Sequence, residues 1–488
     1  MKRTKILSFV LIAVMLLAMA GCGSSKPSDA PSTSPVNSST ATPAPAKTPE
    51  ATATPEPKAT VRMMVNVTGG KDDAEMTLFG ETLGDATGLA IELEKPPSDY
   101  SQVLMQKLQG GEKYDLIYVN TSEYLSLINQ GALMDITDRV KASTILSNNI
   151  EQQEWEDIKV DGKVYAGFNK KELHRVVAIN KIQLKNAGLD YKSIEPTLDG
   201  YYKVFKALRN ANTSKDYYPF NVVMSEVFDL QPWFASIGLK DGVVVDKADG
   251  KTYAPYSTDA AAPVWEWFKK LYDEELMDPA SFVDKTKDMR NKMGASSQLT
   301  GVCVDWAMWV GLHNANAATG GINADAFEIV SLPGTKTPDG SYKLVKGAAS
   351  LFAVPANAQN VDGAIKVLEY FSTQEGGELL SVGIKGSDYN IENGKYVLTQ
   401  TGKTHACDHG APVPIFKDFK HPVGYNLGVE EALSYVQYST INLGIPDEKT
   451  FKTTMGKWAI QIIKGEIGTL DGLKKMREEL VSLGITQK

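Results

Sequence analysis

The first part of the globular sequence alternates strand-like and helix-like segments, and this alternation restricts the fold more than any other feature. The segment VRMMVNV (61–67) places every second residue on one apolar face, and YDLIYVN (114–120) is almost continuously apolar, like a strand buried on both faces. The segments DAEMTLFGETLGDATG (73–88) and TSEYLSLINQG (121–131) have helical spacing and end at glycine. Repeated strand–helix units predict an α/β lobe with a largely parallel sheet.

The extreme N-terminus has a different character. Basic residues precede an apolar run from Ile6 to Ala20, which is typical of an export signal and too short for a membrane-spanning helix. Met19-Ala20-Gly21-Cys22 resembles the lipobox of bacterial lipoproteins, although Met19 stands where leucine is usual. The resemblance implies acylation of Cys22 and a lipid anchor, strengthened by about 0.8 kcal/mol for each buried methylene. The alternative is an ordinary secretory signal with an accidental cysteine.

The stretch that follows Cys22 consists almost entirely of Ser, Thr, Ala and Pro. It has too few large apolar residues to offset the entropy of ordering it, and repeated proline favours an extended chain. We therefore predict a signal peptide over 1–21 and a disordered tether over 22–60. The tether would hold the globular body at the extracellular face of the cell membrane.

The remaining sequence is long enough for two or more lobes. A net charge of −8 and the lack of a basic run argue against nucleic acid and against polybasic binding to lipid. Besides Cys22 the chain has only Cys303 and Cys407, too few for a disulfide scaffold, and we expect two unpaired thiols. The sequence has no nucleophile elbow, P-loop or HExxH pattern, so we predict that it is not an enzyme.

Three long segments resemble one known family in their content and order. They are YSQVLMQKLQGGEKYDLIYVNTSEYLSLINQGALMDITDRV (100–140), VDGKVYAGFNKKELHRVVAINKIQLKNAGLD (160–190) and FAVPANAQNVDGAIKVLEYFSTQEGGELLSVGIKGSDYNIENGKYVL (352–398). The family is that of bacterial extracellular solute-binding proteins, family 1, the group that includes maltose-binding protein. The single motifs are loose, but their order along the chain is specific.

The resemblance implies the two-lobe α/β fold of the type II periplasmic binding proteins, with a ligand cleft between the lobes and hinge closure around the ligand. It also implies a monomer without cofactor that delivers its solute to an ABC transporter permease, where a tether would raise its effective concentration. By analogy the first lobe comprises 61–168 plus 335–390, and the second comprises 169–334 plus 391–488.

The first-lobe site candidates follow predicted strands. In open α/β sheets ligands meet the loops beyond the carboxyl ends of the strands, which points to NVTGGK (66–71) and NTSE (120–123). Neutral side chains in these loops can donate to and accept from sugar hydroxyls or amides, but each also suits a turn or a helix cap. The candidates are Asn66, Thr68, Asn120 and Ser122.

The second-lobe candidates are mainly aromatic. The segment GVCVDWAMWVG (301–311) reads as a strand running into a turn, and it carries Asp305, Trp306 and Trp309 where the resemblance implies a sugar-stacking aromatic residue. The same resemblance brings Trp233 near the cleft. Trp267, in contrast, shares a helical apolar face with its neighbours, and we predict that it lies in the core.

One further pattern suits metal binding. His405, Cys407 and His409 alternate in HACDHG and could bind zinc or copper from one face of a strand. Since no other Cys or His lies near them in the sequence, we expect a loop without metal.

The function most in keeping with these residues is capture of a small-molecule solute, because aromatic and neutral polar groups favour an oligosaccharide. A peptide, a vitamin or a metal chelate remains open as the ligand. A secreted glycan-active enzyme is the alternative of another class, but it requires a placed pair of carboxylates, and the sequence locates none.

Overall fold

The computed structural model describes residues 58–347, 349–440, 445 and 447–488. The predicted signal peptide, Cys22 and most of the predicted tether lie outside these residues. The strands of the described part are β1 Thr60–Met64, β2 Ala90–Glu94, β3 Leu116–Asn120, β4 Ala166–Phe168, β5 Arg175–Asn180, β6 Tyr218–Asn221, β7 Val244–Val245, β8 Thr252–Tyr253, β9 Thr300–Trp306, β10 Ile329–Leu332, β11 Leu344–Val345, β12 Ser350–Ala353, β13 Tyr389–Glu392, β14 Lys395–Leu398 and β15 Ser439–Thr440.

Helices alternate with most of these strands. They are α1 Asp73–Thr87, α2 Tyr100–Gln109, α3 Thr121–Asn129, α4 Thr137–Ala142, α5 Thr144–Asn149, α6 Gln152–Ile158, α7 Lys181–Asn186, α8 Leu198–Ala211, α9 Gln231–Phe234, α10 Ala262–Asp273, α11 Thr286–Met293, α12 Ala307–Thr319, α13 Val361–Phe371, α14 Gln374–Ser381, α15 Gln400–His405, α16 Val429–Ser434, α17 Glu448–Ile463 and α18 Thr469–Ser482.

Helix α1 illustrates how local sequence sets the element ends. The side chain of Asp72 accepts a hydrogen bond from the backbone N–H of Glu75 and satisfies a donor that the first turn leaves free. At the other end Gly88 has φ of 70°, a left-handed conformation that glycine adopts without strain. The predicted helix over 73–88 is therefore confirmed to within one residue.

The first sheet has the strand order β2-β1-β3-β12-β4. β1 is parallel to both β2 and β3, because helices α1 and α2 carry the chain back between them. β12, in contrast, runs antiparallel to β3 and to β4. The prediction of parallel strands holds for the N-terminal strand–helix units, and the antiparallel strands come from later returns of the chain.

The second sheet has the strand order β10-β5-β9-β6 and is mainly antiparallel, with only β6 parallel to β9. Side chains of β5 alternate between its two faces. Val177 and Ile179 pack into one buried cluster, and Val176 and Ala178 pack into another on the opposite face. Helices thus cover both faces of this sheet, and the chain has the two-lobe α/β fold.

The hydrophobic cores show where the chain passes between lobes. The core around the first sheet takes residues between Val61 and Phe168 and again between Ala349 and Ile415, whereas the clusters around the second sheet begin at Val176 and resume after Ile415. The division of the chain into lobes stays a proposal. Ile415, however, packs with the first core, so the last boundary would move from residue 390 to beyond 415.

Candidate functional site

Residues from both lobes line a central cavity of about 270 Å³. Ser122 lines it from the first turn of α3. Lys346 and Gly347 line it from the chain segment that joins β11 to β12. Arg175 and Trp306 border it from β5 and β9 of the second sheet. We refer to the space bordered by these five residues as the central cavity.

Trp306 is the last residue of β9, and its indole is half-buried. Arg175 lies opposite it on the neighbouring strand β5, with the guanidinium carbon 4.0 Å from the indole centroid. A Cβ added to Gly347 would lie only 2.4 Å from Cη2 of the indole, so glycine is required for this close approach. Trp306 is thus held in the cavity wall by a cation and by backbone, and its role in binding stays a prediction.

Asp305 also borders the central cavity, but it is 2% exposed and engaged in an ion pair. Arg290 donates two hydrogen bonds to it, at 2.8 Å from Nε and 2.7 Å from Nη2, and the backbone N–H of Trp306 donates a third at 2.8 Å. Such a bidentate pair fixes the geometry of both partners. Asp305 therefore positions Arg290 and the strand end.

Trp309 lies in the first turn of α12 and borders a second space. This outer cavity, of about 360 Å³, is bordered by Trp306, Trp309, Glu172, His405 and Asp408 among others. The guanidinium carbon of Arg290 lies 3.7 Å from the centroid of the Trp309 ring. Because Trp306 borders both cavities, the indole forms the junction between the central and the outer cavity.

A larger space of about 810 Å³, which we term the distal groove, adjoins the outer cavity. The two share Met308, Leu312 and Asn426 in their walls. In the wall of the distal groove His421 and Tyr425 pack ring against ring, with centroids 4.8 Å apart. We refer to the three adjoining spaces together as the cleft.

Ion pairs dominate the second-lobe side of the central cavity. Arg175 pairs with the buried carboxylate of Asp229, and Lys452 contacts Glu226 at 2.8 Å and Glu448 at 2.7 Å. All five residues line the cavity. Each of these carboxylates contacts a cation, so this side of the cavity is a network of ion pairs.

Two carboxyls of the cavity have shifted ionisation. Burial raises the pKa of Asp229 to about 7, although Arg175 opposes the shift. Burial likewise raises the pKa of Asp241, again against the attraction of Arg175, to about 7. Both groups therefore titrate near neutral pH, and the charge of the cavity changes there.

The sequence did not indicate these charged residues, since Asp229, Arg175 and Lys452 are far apart along the chain. The one available signal was Arg175 itself, a charged residue at the start of the otherwise apolar strand RVVAIN. A buried arginine requires a partner, but the sequence does not say which carboxylate supplies it.

The first-lobe candidates divide between the cavity wall and helix capping. Ser122 lines the central cavity and is half-buried. Asn120 instead caps α3, because its side chain accepts from Glu123 N at 3.0 Å while the Glu123 carboxylate accepts from Asn120 N at 2.9 Å. The prediction of Asn120 as a ligand residue is therefore corrected to a helix cap.

The loop after β1 contributes structure rather than exposed ligand groups. Thr68 is fully buried, and its hydroxyl donates to Oδ1 of Asn169 at 2.5 Å. The amide of Asn169 in turn donates to the carbonyl of Gly410 at 2.9 Å. Thr68 is thus corrected to a residue that joins three segments of the first lobe. Asn66 is half-buried and borders none of the three spaces.

Trp233 was predicted to lie near the cleft, and that prediction is wrong. Its side chain is fully buried, with ring centroids 4.8 Å from Tyr201 and 5.4 Å from Phe220. Trp267 packs against it at 5.3 Å, which confirms the predicted core position of Trp267. The α9 segment is too short for a helical period, so no periodic pattern indicates which side of Trp233 is buried.

The cysteines of the described part are unpaired, as predicted. Cys303 is buried within β9, and burial raises its pKa well above the usual thiol value. Cys407 is half-buried, and burial raises its pKa to about 11. Both thiols therefore remain protonated and poorly nucleophilic at neutral pH.

Sequence comparison decides the family. The model of the bacterial extracellular solute-binding protein family matches residues 73–378, which is more than half of the chain. The chain belongs to this family. Its role is therefore that of a solute-binding protein rather than an enzyme, and its location is extracellular or periplasmic. A comparison with curated protein sequences returned no match.

Solved structures share the fold of this solute-binding protein at low sequence identity. MalE, the sugar-binding protein of Xanthomonas citri, superposes with a TM-score of 0.65 at 14% identity, covering 87% of this chain and 97% of its own. The substrate-binding protein of Listeria monocytogenes in complex with cycloalternan gives 0.64 at 13%, covering 87% and 99%. The alginate-binding protein AlgQ2 gives 0.63 at 17%, covering 89% and 97%.

No helix in the described ranges is both long and apolar enough to cross a membrane.

Proposed function

We propose that this solute-binding protein captures an oligosaccharide in the cleft formed by the central cavity, the outer cavity and the distal groove. The observation that carries the proposal is the position of Trp306 at the junction of the first two spaces, with hydrogen-bonding groups on either side. An indole face suits the apolar face of a pyranose ring, and carboxylates and guanidinium groups bond its hydroxyls. The cycloalternan bound to the structurally similar protein of Listeria monocytogenes agrees with this ligand class.

The three adjoining spaces of the cleft support several sugar rings rather than one. A first ring would stack on Trp306, and further rings would extend past Trp309 towards Tyr425 in the wall of the distal groove. Small-molecule sites bury most of the ligand surface, so each occupied section adds apolar contact area. Affinity should therefore rise with chain length up to the number of rings that the cleft holds.

A thermal-shift screen tests the ligand class. Oligosaccharides of increasing length, peptides and metal chelates are compared with the purified protein alone. A ligand present at 100 times its Kd adds about 2.7 kcal/mol to the free energy of unfolding, which is easily measured. A shift with oligosaccharides supports the proposal, whereas a shift only with a peptide or a chelate contradicts it.

Recovery of the ligand distinguishes binding from turnover. The hit from the screen is incubated with the protein, and the products are separated. We expect stoichiometric recovery of the intact oligosaccharide, because the chain belongs to a family of solute-binding proteins. Release of reducing ends in proportion to time would instead indicate a glycan-active enzyme.

We further infer that acylated Cys22 and the segment 22–60 hold the protein on the membrane, where it delivers its ligand to an ABC transporter permease. The lipobox-like sequence before Cys22 supports this inference. Cys22→Ala should release the protein into the medium or the periplasm while solute binding is retained. A variant that stays in the membrane fraction would contradict the lipid anchor.

A further inference from the structure

The segment HACDHG folds against a carboxylate that the sequence did not associate with it. His405 ends α15, and His409 follows in the next loop, with both imidazoles buried. Oδ1 of the buried Asp388 lies 2.6 Å from Nδ1 of His405 and 3.0 Å from Nε2 of His409. The expectation of a loop without metal counted only cysteine and histidine neighbours, and it did not consider this carboxylate. Within the part of the chain that the structure describes, Cys407 is not among the residues whose ligand atoms gather here.

A second carboxylate approaches the same imidazole from the other side. Oε1 of Glu75, in the first turn of α1, lies 3.0 Å from Nε2 of His405. His405 thus has a carboxylate oxygen at each of its ring nitrogens. Two carboxylates and two imidazoles are gathered from three segments that are far apart along the chain.

The hydrogen bonds of this group leave a position between His405 and Glu75 that needs a proton or a metal cation. The carboxylate of Asp388 accepts on both of its oxygens, because Oδ1 faces the two imidazoles and Oδ2 accepts a hydrogen bond from the backbone N–H of Ile384 at 2.9 Å. If each imidazole donates its single proton to Asp388, His405 turns a lone pair towards the Glu75 carboxylate. Lone pairs facing each other at 3.0 Å repel, unless a proton or a metal cation stands between them.

Nδ1, the second ring nitrogen of His409, also needs a group to bind it. With Nε2 facing Asp388, Nδ1 is buried and has no hydrogen-bond partner among the described residues, and the side chain is only 2% exposed. A buried nitrogen without a partner costs free energy unless something binds it.

We propose that Asp388, His405 and His409, with Glu75 beside them, form a site for one divalent transition-metal ion. Donor atoms of Asp388 and the two histidines all lie within 4.8 Å of one another. Imidazole nitrogen together with carboxylate oxygen is a donor set suited to zinc, copper and nickel. Because the ligating nitrogens must be deprotonated, binding of the ion releases to solvent any proton that it replaces.

An ion can reach this site from the cleft, and its binding would affect the first-lobe wall. His405 borders the outer cavity, so an ion can reach it from the cleft. The backbone N–H of Gly69 donates to the carbonyl of His409 at 2.8 Å, which joins the loop after β1 to the histidine loop. A Cβ on Gly383 would lie 2.5 Å from both Asp388 and His409, so glycine keeps this space open. A bound ion would therefore rigidify the first-lobe wall of the cleft.

Calorimetric titration of the purified full-length protein with Zn²⁺, after removal of metals with a chelator, tests the proposal. We expect one Zn²⁺ per chain and release of protons, which is read from titrations in two buffers of different ionisation enthalpy. In His409→Gln the affinity for Zn²⁺ should fall by roughly 100-fold or more. His174→Gln is the matched control, since His174 is an equally buried imidazole whose Nε2 bonds to the carbonyl of Ala432 rather than to a carboxylate.

Two results would overturn the proposal. Absence of Zn²⁺ binding to the wild-type protein would mean that a proton alone satisfies His405. Unchanged affinity in folded His409→Gln would place the ion elsewhere.

Cobalt spectroscopy on the unmutated protein guards against variants that do not fold. Substitution by Co²⁺ should give visible d–d bands of a nitrogen–oxygen site without a thiolate charge-transfer band. A thiolate band that disappears in Cys407→Ser would assign the ion to Cys407 and contradict the proposed ligands. Neither experiment depends on the bound sugar, so the site can fail while the proposed function stands.

Discussion

The aromatic cluster around Trp233 and the cleft wall around Trp306 both lie in the second lobe and are rich in tryptophan, but their surroundings differ. Trp233 contacts other aromatic rings, with Tyr201 and Phe220 edge-on to it, and is fully buried. Trp306 is half-buried and lies against the guanidinium of Arg175, and Trp309 lies against that of Arg290.

These surroundings distinguish a core tryptophan from a tryptophan that a ligand can reach. Ring-on-ring packing buries both faces and leaves nothing for a solute. A guanidinium group covers one face, orients the ring and is itself held by a carboxylate, as Asp229 holds Arg175 and Asp305 holds Arg290. The polarity of the neighbours, rather than the number of tryptophans, distinguishes the two regions.

The largest effect is expected in the aromatic cluster. Trp233→Ala removes a fully buried ring and leaves a cavity, which should lower the free energy of unfolding by about 3–5 kcal/mol. Denaturant titration measures the loss, and Trp233→Phe should recover part of it. Sugar affinity of the folded variant should be unchanged. A variant of normal stability with weakened binding would return Trp233 to the site.

Trp306→Ala should have the opposite signature. Loss of the stacking face should weaken oligosaccharide binding by roughly ten- to a hundredfold, equivalent to about 1.4–2.7 kcal/mol. Since the indole is half-buried, the melting temperature should change little. Trp458→Ala is the control, because Trp458 is also partly exposed but lies on α17 outside the three spaces. Unchanged affinity with a sharply lowered melting temperature would place Trp306 in the core instead.

The pH dependence of binding also separates the two regions, because the cleft wall contains two buried carboxyls that titrate near neutrality. Asp229 and Asp241 have pKa values of about 7. An ionised carboxylate is the stronger acceptor for sugar hydroxyls, so protonation should weaken binding as pH falls through 7. For one such group the affinity at pH 6 should be about tenfold below its value well above pH 7. A flat profile would show that neither carboxylate contacts the ligand.

The smallest effect is expected at the start of α3. Asn120→Ala removes the capping box and should cost about 1 kcal/mol of stability. Sugar affinity should be nearly unaffected, whereas Ser122→Ala should weaken it with little change in stability. Parallel unfolding and binding measurements on the two variants make the test. Weakened binding by Asn120→Ala without loss of stability would restore Asn120 as a ligand residue.

Elements set by local pattern could be predicted from the sequence, and elements set by distant contacts could not. The strand and helix ends near Asp72 and Gly88 follow from capping and from glycine geometry, which act over a few residues. Trp306 was predicted as a site residue because it ends a strand at a position that the family resemblance favours, and the structure places it in the wall of the central cavity. Asn120 was misassigned because the same side chain that bonds a sugar hydroxyl also caps a helix, and the residue type does not distinguish the two.

The site contacts that the sequence did not predict have one physical cause in common. The pairing of Arg175 with Asp229 and the approach of Asp388 to His405 bring together residues separated by many others along the chain. Nothing in local spacing reports such contacts. Trp233 belongs to the same class, because its burial depends on which rings from other helices and strands reach it.

The most direct test of oligosaccharide binding at Trp306 is a crystal structure of the complex with the oligosaccharide that the thermal-shift screen selects. We expect a sugar ring against the indole of Trp306, between the two lobes, with further rings extending through the outer cavity. A ligand bound outside this cleft, with the Trp306 face left in solvent, would contradict it.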